Sequence, residues 1–243
     1  TRIEGHAKVT IRMKEDGTVD HAYMHVNEFR GFEKFCEGRM VFEMPLITPR
    51  ICGICPVSHH LASAKAGDDA FGAPPPRPAS LLRELMHMGQ VVQSHGMHFF
   101  ELAGPDLILG FDADPAVRNA IGLLQANPEL TVRAVNLRKW GQEIIAILGG
   151  RRIHPSFAVP GGVNKALSKE DREKILSGYD EAIKTIQTGI AIYTDWVEKN
   201  LEVINNFGVF KTGYFGLVKP GNTHELYDGE IRLVSSDGKE LEK

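Results

Sequence analysis

The sequence predicts an α+β fold, mainly helical, with an N-terminal β-hairpin, a long-helix bundle and a small C-terminal β region. Three observations carry that expectation. Two runs of period-two alternation, 6–14 and 18–27, flank an Asp-Gly turn near the start. Long runs with helical apolar spacing fill the middle of the chain, and short apolar runs around Pro220-Gly221-Asn222 close it.

In the first run Ala7, Val9, Ile11 and Met13 fall on one side; in the second Val19, Ala22, Met24 and Val26 are the apolar points, with Asp16-Gly17 as the turn. The segment 29–43 holds four aromatics and Cys36 but has no clear period, and Pro45 and Pro49 interrupt the chain after it. Val57, Leu61, Ala64 and Ala70 then mark a helix over 56–71, with Pro56 at the first position, where a missing N–H costs nothing. The proline-rich stretch 73–78 is a stiff connector. A long helix is expected from about 79 to 103, carrying His87, His95 and His98, and two more over 115–126 and 128–148, each opened by an Asp-Pro or Asn-Pro pair. Short connections predict antiparallel packing of these helices. The tract 149–162 is a Gly, Arg and Pro loop, with Gly161-Gly162 read as a tight turn, because no strand–glycine–helix pattern surrounds it to cradle a phosphate. Ser168 with Asp171 opens a helix reaching about Asn200, and strands follow over 209–218 and 224–234.

Composition bounds the function. The chain has 243 residues, 42% of them hydrophobic and 24% charged, which excludes a disordered or fibrous protein. Lys plus Arg number 28 against 31 Asp plus Glu, a net charge of -3, which gives no support to nucleic-acid binding. No apolar run approaches the ~18 residues of a membrane span. The sequence starts at Thr1 without Met and closes on turn-forming residues, so it reads as part of a longer chain. Three cysteines do not make a disulfide framework, and they suggest a reducing compartment with a local task for the close pair.

That pair lies in Arg50-Ile51-Cys52-Gly53-Ile54-Cys55-Pro56-Val57-Ser58-His59-His60. Cys52 precedes a helix, Cys55 stands at its N-terminus, and His59 is one turn further in on the same face. Free N–H groups and partial positive charge there favour thiolate, and two thiolates at this spacing suit a soft or borderline metal. From the residues alone four readings stay open. One is a zinc site, which needs four ligands where no second close pair exists. Another is a thioredoxin-like dithiol, which needs a βαβ context. The others are half of a larger metal centre and a pair of ordinary buried cysteines.

The ordered set of motifs resembles the N-terminal half of the [NiFe] hydrogenase large subunit. The words that carry it are Thr1-Arg2-Ile3-Glu4-Gly5-His6, Phe29-Arg30-Gly31-Phe32-Glu33 and Arg50–Cys55 with His59. It continues through Asn136–Glu143 and His154-Pro155 to Val159-Pro160-Gly161-Gly162-Val163. Glu28–Phe35 and Val57-Ser58-His59-His60 resemble the cytoplasmic NAD-reducing subgroup most. The likeness is strong over the first two-thirds and weak after Asn200. It implies that 1–243 is the N-terminal portion of a hydrogenase large-subunit domain, and that the reaction is reversible cleavage of H2 into protons and electrons at an Ni-Fe(CO)(CN)2 centre. Cys52 would be a terminal nickel ligand, Cys55 would bridge nickel and iron, and the other two ligands would come from a C-terminal Cys-x-x-Cys that these residues do not contain. Glu4 would relay the proton from the terminal thiolate. Glu33 would help hold Mg2+ or another divalent ion, as suits a carboxylate. His59 would bind the cofactor through a hydrogen bond near the bridging sulfur. With no cysteines to spare for iron–sulfur clusters, a small subunit bearing them is implied as partner, with flavin/NAD diaphorase subunits behind it and a cytoplasmic location. The alternatives are an incomplete non-catalytic fragment, or a complex I-type quinone-reductase subunit that shares the fold without the metal. For each residue a plainer role also stands: Glu4 and Glu33 as surface acids, Arg50 as neutraliser of a helix-flanking acid, Cys36 as a small core residue, and His87, His95 and His98 as packing residues.

Overall fold

The computed structural model describes residues 5–28 and 30–241. Strands β1 (Ala7–Met13) and β2 (Val19–Val26) form the expected antiparallel hairpin, pairing Val9 with Met24 and Ile11 with Ala22. Asp16 shapes the turn by accepting the Thr18 backbone N–H at 2.9 Å, and Gly17 takes the left-handed conformation (φ 82°). The apolar stripe of this hairpin remains open to solvent: Val9 is 62% exposed and Met24 73%.

The segment without a readable period coils into short pieces. These are α1 (Phe32–Cys36), a 3-10 turn at Val41–Glu43, α2 (Met44–Ile47) and a second 3-10 turn at Thr48–Ile51. Pro45 and Pro49 each sit in the first turn of their piece, where the absent N–H is harmless, and both are buried. Helix α3 (Pro56–Phe71) starts on Pro56 as expected and stops at Gly72 (φ 58°).

Helix α4 (Arg77–Met97) runs on through a π-helical turn, His98–Ala103, into α5 (Gly104–Leu109). Pro105 lacks the N–H an unbroken α-ladder needs, and the widened turn falls just before it. The helix expected from 115 begins later, as α6 (Ala120–Ala126): Asn119 caps it by accepting the Ile121 and Gly122 N–H groups, while Asp114-Pro115 makes a separate turn. Asn127 caps α7 (Pro128–Gly149) as the Asn-Pro pair predicts. Gly161 (φ 84°) turns the two-residue strands β3 (Ala158–Val159) and β4 (Gly162–Val163) into a minimal hairpin.

Ser168 accepts the Asp171 N–H at 3.0 Å and opens α8 (Lys169–Ser177), but the single helix expected to Asn200 is broken at Gly178 before α9 (Tyr179–Lys199). Trp140 on α7 causes the break. Its indole N–H donates to the Ile175 carbonyl at 2.9 Å, and a Cβ at 178 would lie 2.4 Å from the ring. Helix α10 (Leu201–Asn206) precedes a three-stranded antiparallel sheet of order β6–β5–β7, from β5 (Tyr214–Lys219), β6 (Thr223–His224) and β7 (Glu230–Val234).

Helices α4 and α7 form the central pair and are antiparallel. Met86 meets Gly149, Gly89 meets Gly141 and Ile144, and Gly96 meets Leu137. The backbones come close where the glycines face: a Cβ on Gly141 would lie 2.6 Å from the Gly89 carbonyl oxygen. One core joins Val57, Leu61 and Ala64 of α3 to Met86, Ile144, Ile145, Leu148 and Phe157. A second gathers Phe100, Leu130, Ala134, Leu137 and Ala182. The first core holds α3, and α3 carries the cysteine loop.

Candidate metal centre

Cys52 follows the second 3-10 turn in extended conformation (φ -140°, ψ 126°), and Cys55 is the residue from which α3 starts. Three intervening peptide units fold the sulfurs together. The Cys55 N–H donates to Cys52 Sγ at 3.3 Å, a contact that stabilises negative charge on sulfur. His59, one helical turn on, completes the cluster: the two sulfurs and an imidazole nitrogen all lie within 4.8 Å of one another, and all three residues are half-buried. Two soft donors and one borderline donor at a helix N-terminus are a candidate site for a thiophilic metal.

The surroundings fix this loop from three sides. His60 has no exposed surface; its Nδ1–H donates to the Pro45 carbonyl at 2.6 Å, and Nε2 accepts the Phe157 and Ala158 N–H groups at 3.2 and 2.8 Å. Burial pushes the His60 pKa down, which suits the neutral ring these contacts require. Opposite, Gln90 and Gln93 of α4, 3% and 5% exposed, both donate to the Ile54 carbonyl, at 3.0 and 3.2 Å. Further along α3, Asp68 accepts from buried Arg83 and from the Gly161 N–H, while Arg83 also donates to the Val159 and Gly162 carbonyls. The Val159–Val163 motif is thus a clamp for α3, and Gly67 makes room for its Pro160. A cleft of about 230 Å³ behind the loop is lined by Gly53, Ile54, Gln90, Gln93, Arg138 and Arg152 among others.

Of the residues singled out from sequence, Cys52, Cys55 and His59 come together. Glu33 stands exposed in the first turn of α1 and joins no metal-competent cluster among the described residues. Glu4 and Phe29 lie outside the described residues. Cys36, a free cysteine, ends α1 half-buried and is not part of the cluster. His87 packs against Tyr227, with ring centroids 6.3 Å apart, as a packing role requires. Sequence reasoning missed His60, Gln90, Gln93 and the Asp68–Arg83 pair. Their contacts join residues 15 to 98 positions apart, and only the apolar setting of a few polar side chains hinted at them.

Known proteins give this geometry its family. Residues 30–127 match the model of nickel-dependent hydrogenases, and residues 1–29 match a HoxL-like model. The vhu-type F420-non-reducing hydrogenase of Methanocaldococcus jannaschii has a subunit 46% identical over 240 residues, covering 99% of this chain and 57% of that protein. The NAD-reducing hydrogenase HoxS subunit beta of Cupriavidus necator is 41% identical over 249 residues, 98% of this chain and 51% of that one. A crystal structure of an NAD+-reducing [NiFe]-hydrogenase in the H2-reduced state superposes with a TM-score of 0.94 at 45% identity, covering 99% of this chain and 54% of that chain.

The chain therefore belongs to the nickel-dependent hydrogenases. Within them it is a homologue of the large, catalytic-type [NiFe] subunit, related to the NAD-reducing members and matching the N-terminal part. It spans about half the length of the curated relatives it matches. No helix among the described residues is long and apolar enough to cross a membrane.

Proposed function

We propose that this chain supplies two of the four thiolates of a nickel–iron centre in an enzyme that reversibly oxidises H2 to two protons and two electrons. The carrying observation is the convergence of Cys52, Cys55 and His59 at the start of α3 in a member of this family. The donor set fits: thiolate sulfur suits nickel and iron, and the loop already presents both sulfurs to one point. Cys52 and Cys55 would hold the nickel–iron group through their thiolates, and His59 would donate a hydrogen bond beside the Cys55 sulfur. A second cysteine pair from outside these residues would complete the set. When bound, the Ni-Fe(CO)(CN)2 group supplies the polarising metals at which H2 is split.

This chain's own residues would handle the proton. Cys52 Sγ would accept it and Glu4 would carry it outward, the two acting as a general-base relay. Glu33 would contribute a carboxylate oxygen to a Mg2+ or similar divalent ion. The electrons leave through a small subunit bearing iron–sulfur clusters and, in an NAD-linked cytoplasmic complex, through flavin/NAD diaphorase subunits.

Exchanging Cys55 for Ser in the complete complex tests the assignment. Loss of nickel and iron together with H2 uptake is expected; retained nickel with unchanged uptake would reject it.

A further inference from the structure

We infer that Gln90 and Gln93 are positioning residues that set the Cys52 sulfur through one peptide group. The inference rests on the proposed metal-centre reading and concerns how its first thiolate is held. The Ile54 carbonyl and the Cys55 N–H belong to the same peptide unit. The carbonyl end accepts from Gln90 Nε2 at 3.0 Å and Gln93 Nε2 at 3.2 Å; the N–H end donates to Cys52 Sγ at 3.3 Å. A peptide is planar, so fixing the direction of its C=O fixes the opposite direction of its N–H. Two amide donors on the oxygen also polarise the unit, and a polarised N–H makes a stronger hydrogen bond.

The two glutamines are built for this task. They stand three apart on α4, so one helix face presents both amides to one carbonyl. Both are almost fully buried, where hydrogen bonds are stronger and a misplaced amide is costly. Their helix is itself held against α7 next to the contact: a Cβ on Gly141 would lie 2.8 Å from the Gln93 backbone nitrogen. Among the described residues Gln90 Oε1 has no hydrogen-bond partner, so that amide is oriented by its donor end. A purely apolar support could pin the loop sterically but could not orient the peptide dipole. Hydrogen bonds to a ligating sulfur tune its donor strength and the potential of the metal it holds.

The test uses the full-length protein before its native cofactor is loaded, with two readouts. In the parent chain the Cys55 amide should exchange slowly with deuterium, and Co2+ should bind with a sulfur-to-cobalt charge-transfer band that Cys52→Ser alters. In the Gln90→Met/Gln93→Met double variant, of nearly the same volume but without the donors, Cys55 amide exchange should accelerate at least about tenfold. Co2+ affinity should fall about tenfold and the band should move to lower energy, as expected when a thiolate loses hydrogen-bond support. Where circular dichroism shows the double variant unfolded, the single variants Gln90→Met and Gln93→Met are read instead, each with a smaller change of the same sign. Folded variants with unchanged exchange and an unchanged band overturn the peptide clamp and leave the thiolate pair standing. Identical Co2+ binding by Cys52→Ser and the parent overturns the metal-centre reading, and the clamp's role with it.

Discussion

Arg83, with no exposed surface, grips Asp68 through two hydrogen bonds of 2.6 and 3.2 Å, and between them the pair fastens the β3–β4 turn to the helix that carries Cys55 and His59. The guanidinium is held above its ordinary pKa: burial opposes its charge, but the Asp68 carboxylate and the Tyr227 hydroxyl together outweigh that penalty. Removing one partner leaves the other buried and uncompensated. Arg83→Met should therefore cost about 3–5 kcal/mol in urea unfolding. A loss below about 1 kcal/mol would show that the pair is not holding the turn.

The glycine crossing of α4 and α7 makes a second prediction. Gly141→Ala places a methyl 2.6 Å from the Gly89 carbonyl oxygen, with rigid backbone on both sides. Overpacking of this kind costs about 1–3 kcal/mol. Calorimetry should show a Tm several degrees below the parent's, and Gly178→Ala, which meets the Trp140 ring at 2.4 Å, should behave similarly.

Trp140→Phe is milder. It keeps the ring in place but deletes the hydrogen bond to the Ile175 carbonyl. About 1 kcal/mol should be lost, a Tm fall of roughly 2–4 °C for a chain of this size.

Glu225 makes a pH prediction. The Lys219 ammonium, helped by the Tyr227 N–H, lowers its pKa to about 2. A carboxylate depressed in the folded state binds fewer protons there than when unfolded. Its stabilising contribution is complete above the ordinary glutamate value of about 4.3 and is lost as pH falls from there through about 2. The Glu225 carboxyl carbon resonance should titrate near the lower value, and Lys219→Met should move the midpoint up.

For the proton relay, Glu4→Gln in the complete complex should impair H/D exchange while leaving nickel content intact. Normal exchange would remove Glu4 from the path.

Much of this was legible in the sequence because it is local. The hairpin follows from alternation around Asp16-Gly17, α3 from Pro56 and its apolar spacing, and the cysteine cluster from spacings of three and four residues. What escaped is what distant residues decide. The break at Gly178 involves Trp140, 38 positions earlier, whose indole N–H takes the Ile175 carbonyl and whose ring leaves no room for a Cβ at 178. The start of α6 moved to Asn119 because its side chain reaches two N–H groups, whereas Asp114 spends its own on a turn. At the site, the words around Cys52 name the candidate donors, but nothing in Gln90 or Gln93 announces that both reach the Ile54 carbonyl.

Infrared spectroscopy of the complete purified complex, joined to metal analysis, tests the nickel–iron centre most directly. Nickel and iron should be present in equal amounts with CO and CN stretching bands, and Cys55→Ser should lose both metals and bands. Zinc at the site, with neither nickel nor iron and no such bands in the parent complex, would contradict it.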